Sequence, residues 1–182
     1  MNGIEIRPVR TGELEAVARL RWQWAKERQR TPVTSRDEFV SRFVTWALQN
    51  GSSHSCVVMV RDDEVIGMAW LAVTQRVPHP GALERASGDV QCVYVSPEER
   101  GAGLGGRLID EVLALARESG LERLTVHSSD AAVSAYLRAG FAHSRLLLQA
   151  EPRAAAAGPD PGAAGSSGTR DERPNTAAAD AS

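Results

Sequence analysis

A β-prone run, Val93-Tyr94-Val95, stops at Ser96-Pro97 and passes through a short charged loop. It then enters a stretch with four glycines in six positions, Gly101-Ala102-Gly103-Leu104-Gly105-Gly106, where a helical pattern begins. Glycine at this density marks a place where backbone must approach something closely. At a strand-to-helix turn that partner is usually an anion, because the first helical N–H groups lack internal acceptors and carry the positive end of the helix dipole. The stretch reads as a phosphate cradle. Gly101-x-Gly103-x-x-Gly106 also fits the dinucleotide-binding fingerprint, but that motif wants its first glycine directly after the strand, and here 96–100 intervene. Gly-Lys-Ser/Thr is absent, so the stretch is not a P-loop.

The rest of the chain supplies an α+β order around this turn. Alternation at 4–7 predicts a short first strand ending at Pro8. Leu14, Val17, Ala18, Leu20, Trp24 and Ala25 predict a helix over 12–29. Ser35-Arg36-Asp37-Glu38 fits a capping box that opens a second helix to 49. Runs at 56–60 and 65–73, joined by Asp62-Asp63, predict a hairpin. A loop over 75–88 leads to a strand at 89–95. A helix over 103–119, a strand over 121–127, a helix over 131–139 and a last strand over 141–149 follow. This sequence of elements implies a mixed sheet. From 152 to 182 there is no Val, Ile, Leu, Met or aromatic residue. Such a segment cannot offset an ordering cost of about 1–2 kcal/mol per residue. A folded domain over 1–151 and a disordered Ala/Gly/Pro-rich tail over 152–182 are therefore expected.

Net charge of −2 gives no electrostatic case for a nucleic-acid or membrane partner. The two cysteines, Cys56 and Cys92, lie in apolar runs and read as reduced core residues. The first ten residues lack the apolar core of a signal peptide, no run reaches the ~20 apolar residues of a membrane span, and a cytoplasmic location is expected. The four histidines show no metal-ligand spacing, so no metal is expected.

Val93-Tyr94-Val95-Ser96-Pro97 followed by Arg100-Gly101-Ala102-Gly103-Leu104-Gly105 resembles the signature of the GNAT superfamily of N-acetyltransferases, Arg/Gln-x-x-Gly-x-Gly/Ala after a hydrophobic-Tyr-Val-x-Pro strand. Tyr136-Leu137-Arg138-Ala139-Gly140-Phe141 is similar to a second family feature, Tyr-x-x-x-Gly-Phe. The resemblance covers about 3–150. It implies a GNAT-like fold: a mixed, mostly antiparallel central sheet flanked by helices and splayed by a β-bulge in the strand at 89–95. It implies acetyl-CoA as co-substrate, with its pyrophosphate on the backbone of Arg100, Gly101, Ala102, Gly103, Leu104, Gly105 and Gly106, and its pantetheine arm along Val93 and Val95.

By the same resemblance Tyr136 would protonate the departing thiolate, and Asp89, eleven residues before Arg100, would serve as general base through water. Asp89 also fits a plain turn aspartate after Gly88, and Glu84 and His79 are weaker candidate bases. Many relatives carry asparagine seven residues before the tyrosine; here it is Ser129, a shorter hydrogen-bonding group. The first two helices of such proteins wall the acceptor pocket, which here brings in Trp22, Trp24, Arg28, Arg30 and Trp46. The implied activity is direct acetyl transfer to a primary amine, on a small molecule or a peptide or protein, in a ternary complex. A non-catalytic acyl-CoA sensor or interaction module is the alternative. Dimers are common in the family, so a homodimer is compatible with the resemblance.

Overall fold

The computed structural model describes residues 3–150. The chain divides into a body, Met1–His143, and a C-terminal unit, Ser144–Ser182. The body's elements are β1 (Glu5–Pro8), α1 (Leu14–Glu27), α2 (Arg36–Gln49), β2 (His54–Arg61), β3 (Glu64–Gln75), β4 (Ala86–Val95), α3 (Leu104–Glu118), β5 (Leu124–Val126) and α4 (Asp130–Arg138). The five strands form one sheet in chain order. β1 to β4 pair antiparallel and β5 joins β4 in parallel. The expected mixed, mostly antiparallel GNAT-like sheet is present. Among the described residues no helix is long and apolar enough to cross a membrane.

The sheet is buried on both faces, which explains why β2 and β3 read as continuous apolar runs. Val57, Met59, Ala69, Leu71 and Val90 pack with Leu104, Leu108, Ile109 and Val112 of α3. The alternate positions Cys56, Val58, Met68, Trp70 and Tyr94 pack with Leu14, Val17 and Leu20 of α1 and Ala47 of α2. The period of two along each strand thus sorts side chains between two helical layers. Asp62 and Asp63 hold the β2–β3 turn at φ 48° and 65°, the left-handed pair that a two-residue hairpin with the right twist requires. Cys56 and Cys92 are free thiols.

Four local expectations are corrected. Ser35 Oγ accepts from Glu38 N at 3.2 Å, but the Glu38 carboxylate accepts from Thr34 Oγ1, so only half of the capping box closes. β4 begins at Ala86, and β5 spans three residues where 121–127 was expected; Leu121 packs against the α3-side core instead. The last strand expected over 141–149 does not form. Within the C-terminal unit, Ser144 Oγ accepts from the N–H groups of Leu146 and Leu147 at 3.1 and 3.2 Å, a local turn that consumes the donors a ladder would use. The expected tail over 152–182 lies outside the described residues.

β4 and β5 meet at Gly88, which pairs with Leu124. A Cβ there would stand 2.5 Å from Leu124 Cδ1, 2.8 Å from Leu121 Cδ1 and 2.9 Å from Leu71 Cδ1. Gly88→Ala is therefore expected to overpack this junction and lower stability by about 1–3 kcal/mol, read as a reduced urea midpoint at unchanged m-value.

Candidate functional site

The site begins with one surplus residue in β4. Met68 pairs with Tyr94, but the next paired positions are Trp70 and Gln91, so Cys92 and Val93 together face Ala69. This is a β-bulge, and Cys92 adopts φ 54° to make it. β5 pairs with β4 only through Gly88, Asp89 and Val90. Among the described residues, no strand neighbours the far edge of β4 beyond Val90. Ser96 N donates to Ile66 O of β3 at 2.9 Å. Alternation along the strand then turns the main-chain groups of Val93 and Val95 toward the open edge.

That edge forms one wall of a cleft of about 300 Å³. The loop after β4 and the first turn of α3 form the floor, contributing Arg100, Gly101, Gly103, Leu104, Gly105 and Gly106. Tyr136 of α4 closes the far side with Ala132 and Ala135. Gly101 and Gly103 hold φ 92° and 73°, a region that other residues enter only with strain. A Cβ at Gly105 or Gly106 would meet no atom within 4 Å, so these two glycines keep the helix end open rather than relieve packing. Among the described residues, the N–H groups of 101–105 donate to no backbone carbonyl. Several unpaired donors and a helix N-terminus therefore face the same space. A cradle of bare backbone N–H groups suits a phosphate, so the residues present fit a phosphorylated donor.

Arg100 does not point freely into the cleft. Its Nε donates to Val95 O at 2.9 Å and its Nη2 to Glu27 Oε2 of α1 at 2.8 Å. Tyr94 Oη donates to the other Glu27 oxygen at 2.6 Å, and the Arg100 guanidinium lies 5.2 Å from the Tyr94 ring centroid. Burial pushes the Glu27 carboxyl up, but the hydrogen bonds from Tyr94 and Arg100 outweigh it and hold the group below its ordinary value. Burial, then the Glu27 carboxylate, holds the Tyr94 phenol well above its own. Nothing in the sequence singled out Glu27, which lies 67 and 73 positions from these partners.

Tyr136 is buried and packs edge-on against Phe141, ring centroids 5.3 Å apart. Burial, with smaller contributions from Cys92 and Asp89, pushes its phenol up to about 12. Asp89 sits on β4 short of the bulge. Its Oδ2 accepts from Gln91 Nε2 at 3.0 Å and its Oδ1 from Thr125 Oγ1 at 3.1 Å. Each carboxylate oxygen retains a further lone pair. The structure thus gathers Val93, Val95, Arg100, Gly101, Gly103, Leu104, Gly105, Gly106 and Tyr136 along one cleft. Ala102, Ser129 and Asp89 stand outside its lining, Ser129 at the N-terminal cap of α4. Glu84 and His79 lie on the exposed loop before β4, and His79 Nδ1 accepts from Gly81 N of that loop.

A bulged, half-open strand feeding a glycine-opened helix is the arrangement that the resemblance to the acetyltransferases implied. The profile of the acetyltransferase (GNAT) family matches residues 14–141. The chain belongs to that family. It is 34% identical over 84 residues to a glucosamine 6-phosphate N-acetyltransferase of Trypanosoma brucei brucei, covering 46% of this chain and 55% of that protein. It is 31% identical over 96 residues to a mycothiol acetyltransferase of Cellulomonas flavigena, covering 50% of this chain and 28% of that protein. The chain thus spans about half of the first relative and about a quarter of the second. In fold it is similar to a predicted acetyltransferase from Clostridium acetobutylicum crystallised with acetyl-CoA, at TM-score 0.67 and 17% identity over 82% of this chain and 96% of that one.

Tyr94 and Tyr136 are the chain's two tyrosines, and both are held above the ordinary value near ~10. The folded protein is expected to absorb as phenol at pH 10, where the urea-unfolded chain is about half ionised. The unfolded chain releases protons that the folded one keeps, so stability falls as pH rises from 10 toward 12. Glu27→Ala removes a carboxylate that favours the neutral phenol, and one of the two transitions moves down in an absorbance titration.

Proposed function

We propose that the protein transfers an acetyl group from acetyl-CoA to a primary amine, by direct attack in a ternary complex. The observation that carries this reading is the convergence of an open strand edge, an undonated run of N–H groups and a buried phenol on one cleft. The backbone at Arg100, Gly101, Ala102, Gly103, Leu104, Gly105 and Gly106 would hold the pyrophosphate, aided by the α3 dipole. The edges of Val93 and Val95 would hold the amide-bearing arm, and Ser129, at the cap of α4 outside the cleft lining, would add a contact from beyond it. When bound, the donor supplies an activated thioester carbonyl.

Asp89 would draw a proton from the acceptor ammonium through an intervening water, since an aspartate side chain is short. The amine nitrogen then bonds to the acyl carbon, and N–H groups of the bulged strand would face the negative oxygen that results. As the carbon–sulfur bond breaks, the attacking nitrogen would shed its second proton, the departing thiolate would take that proton up, and Tyr136 would donate a hydrogen bond to the sulfur. A phenol pushed up to about 12 lies some 3.5 pK units above a thiol of ~8.5. Full proton transfer from Tyr136 is therefore uphill, and the proton that the attacking nitrogen sheds is the one that neutralises the thiolate. Tyr136 accordingly works as a donor that stays protonated at every physiological pH. Both cysteines are pushed up by burial, which argues against an acyl-cysteine intermediate. The relative named for glucosamine 6-phosphate makes that amine sugar a first acceptor to try.

Two measurements test the reading. Gly105→Glu adds a carboxylate to the cradle through a Cβ that meets no atom within 4 Å. It is expected to weaken acetyl-CoA binding by at least about 100-fold, through repulsion between carboxylate and phosphates, at unchanged thermal midpoint; unchanged affinity would rule out the cradle. Thiol release with a panel of amines is expected to fall about 10²-fold in Tyr136→Phe and in Asp89→Ala, with acetyl-CoA affinity retained. Thiol release no faster than hydrolysis for every amine would sink the transferase reading.

A further inference from the structure

Pairing across the sheet brings one more proton-carrying side chain into line with Asp89. His54 of β2 pairs with Ala72 of β3, and Ala72 pairs with Asp89 of β4. Residues paired in a ladder point to the same face. Val90 belongs to the α3 layer, so its neighbour Asp89 stands on the opposite face, which α1 and α2 cover further along. His54 stands there too, its ring edge-on to Trp46 of α2 at 5.0 Å between centroids. Two strand spacings put the Cα atoms of His54 and Asp89 about 10 Å apart. The residue between them is Ala72, whose side chain is a single methyl group. All three are half-buried. The larger Trp70 and Thr74 precede and follow Ala72 on the same face of β3, so the row dips at Ala72.

The imidazole is oriented as a base. Ser53 Oγ donates to Asn50 O at 3.3 Å. A hydroxyl has one proton, so toward His54 Nδ1, 2.9 Å away, the same oxygen accepts. Nδ1 therefore carries the ring proton and Nε2 keeps its lone pair. Among the described residues no hydrogen bond uses Nε2. Ser53 on Nδ1 and Trp46 against the ring fix the setting of the imidazole. Asp89 is held likewise, by Gln91 and Thr125. Neither His54 nor Asp89 forms an ion pair among the described residues. Toward β1, away from Asp89, His54 borders a surface cleft of about 250 Å³ with Pro8, Thr11 and Gly51. That cleft is a route from the imidazole to solvent.

We propose that His54 relays the acceptor's proton: it takes from Asp89, through water over Ala72, the proton that the acceptor ammonium gave up, and passes it to solvent. This inference rests on the transferase reading with Asp89 as its base. One N–H bond of the ammonium breaks and the proton reaches an Asp89 oxygen. That O–H bond breaks as a bond forms to His54 Nε2, and the imidazolium releases a proton to water. Both groups are then back in their starting forms. A carboxylic acid left between Gln91 and Thr125 cannot act as base again until its proton has gone. His54 meets neither substrate; it acts through Asp89 as a positioning residue for the proton's exit.

The test measures thiol release by the full chain with acetyl-CoA and the fastest amine of the panel, corrected for release without protein. His54→Ala is expected to lower kcat about tenfold, with the KM for acetyl-CoA and the thermal midpoint unchanged. Added imidazole is expected to restore a large part of the rate to His54→Ala and none to Asp89→Ala. His54→Gln keeps a hydrogen-bonding side chain that cannot carry a proton, and is expected to be as slow as His54→Ala. Because the two residues act in series, His54→Ala/Asp89→Ala is expected to be no slower than Asp89→Ala. Ala72→Leu fills the dip with the imidazole in place and is expected to slow kcat by a similar factor. A kcat within about twofold of the unaltered protein in both His54 variants or in Ala72→Leu overturns the relay. So does a loss that imidazole leaves in place, or a double variant slower than Asp89→Ala by the full His54 factor. Release absent with every amine retires the transferase reading and the relay together, whereas release indifferent to His54 retires the relay alone.

Discussion

The extra residue at Cys92 and Val93 is the constraint on which the rest of the site depends. A regular β4 would carry its ladder evenly against β3, and its far edge would continue along β5. The bulge shifts the register by one residue and turns the strand, so β5 parts from it after Val90. The gap is where Val93 and Val95 expose their main-chain groups and where Tyr136 comes in from α4. Holding a non-glycine residue at φ 54° costs of order 1–3 kcal/mol. The fully buried neighbours Met68 and Ala69 of β3 give β4 little freedom to relax. Strain held by a rigid surround at the centre of a site is a usual way of fixing geometry before a ligand arrives.

Glu27 ties the bulged strand to the first helix. Its two oxygens take Tyr94 on one side and Arg100 on the other, and Arg100 continues to the Val95 carbonyl. The arginine that follows the strand is thereby largely spoken for within the protein. The attraction of the cradle for an anion then falls chiefly on backbone N–H groups and the α3 dipole, which are fixed in direction and need no side-chain ordering. Arg100 braces the loop that presents them.

Much of the architecture was legible in the order of residues because it rests on local rules. The glycines at 101, 103, 105 and 106 announce a backbone that must stay bare, and the pattern Tyr136 to Phe141 sits at the helix end where it packs. The continuous apolar runs of β2 and β3 mark strands covered on both faces. What stayed hidden depends on pairs far apart in the chain. The Glu27 bridge joins residues 67 and 73 positions apart, with no local signature. The exact place of the bulge could not be read from composition, because Cys92 carries a Cβ where a left-handed residue would suggest glycine. The run Leu146-Leu147-Leu148 looked like a strand, since hydrophobicity alone does not reveal that Ser144 has captured two of its amides. Of the two residues expected to move protons, Tyr136 lines the cleft, whereas Asp89 stands at its margin, tied to Gln91 and Thr125.

A cleft of about 320 Å³ between α1 and α2 and the cleft beside Val93 and Val95 draw on separate stretches of the chain. One is lined by residues from 21 to 39 and the other by residues from 93 to 138. An evolutionary exchange of the early stretch alone would rewrite one cleft and leave the other untouched, provided that it kept the carboxylate at position 27. Diversity in the early stretch can therefore accumulate while the cleft beside Val93 and Val95 is inherited whole, with a single acidic residue as the joint that both histories must respect.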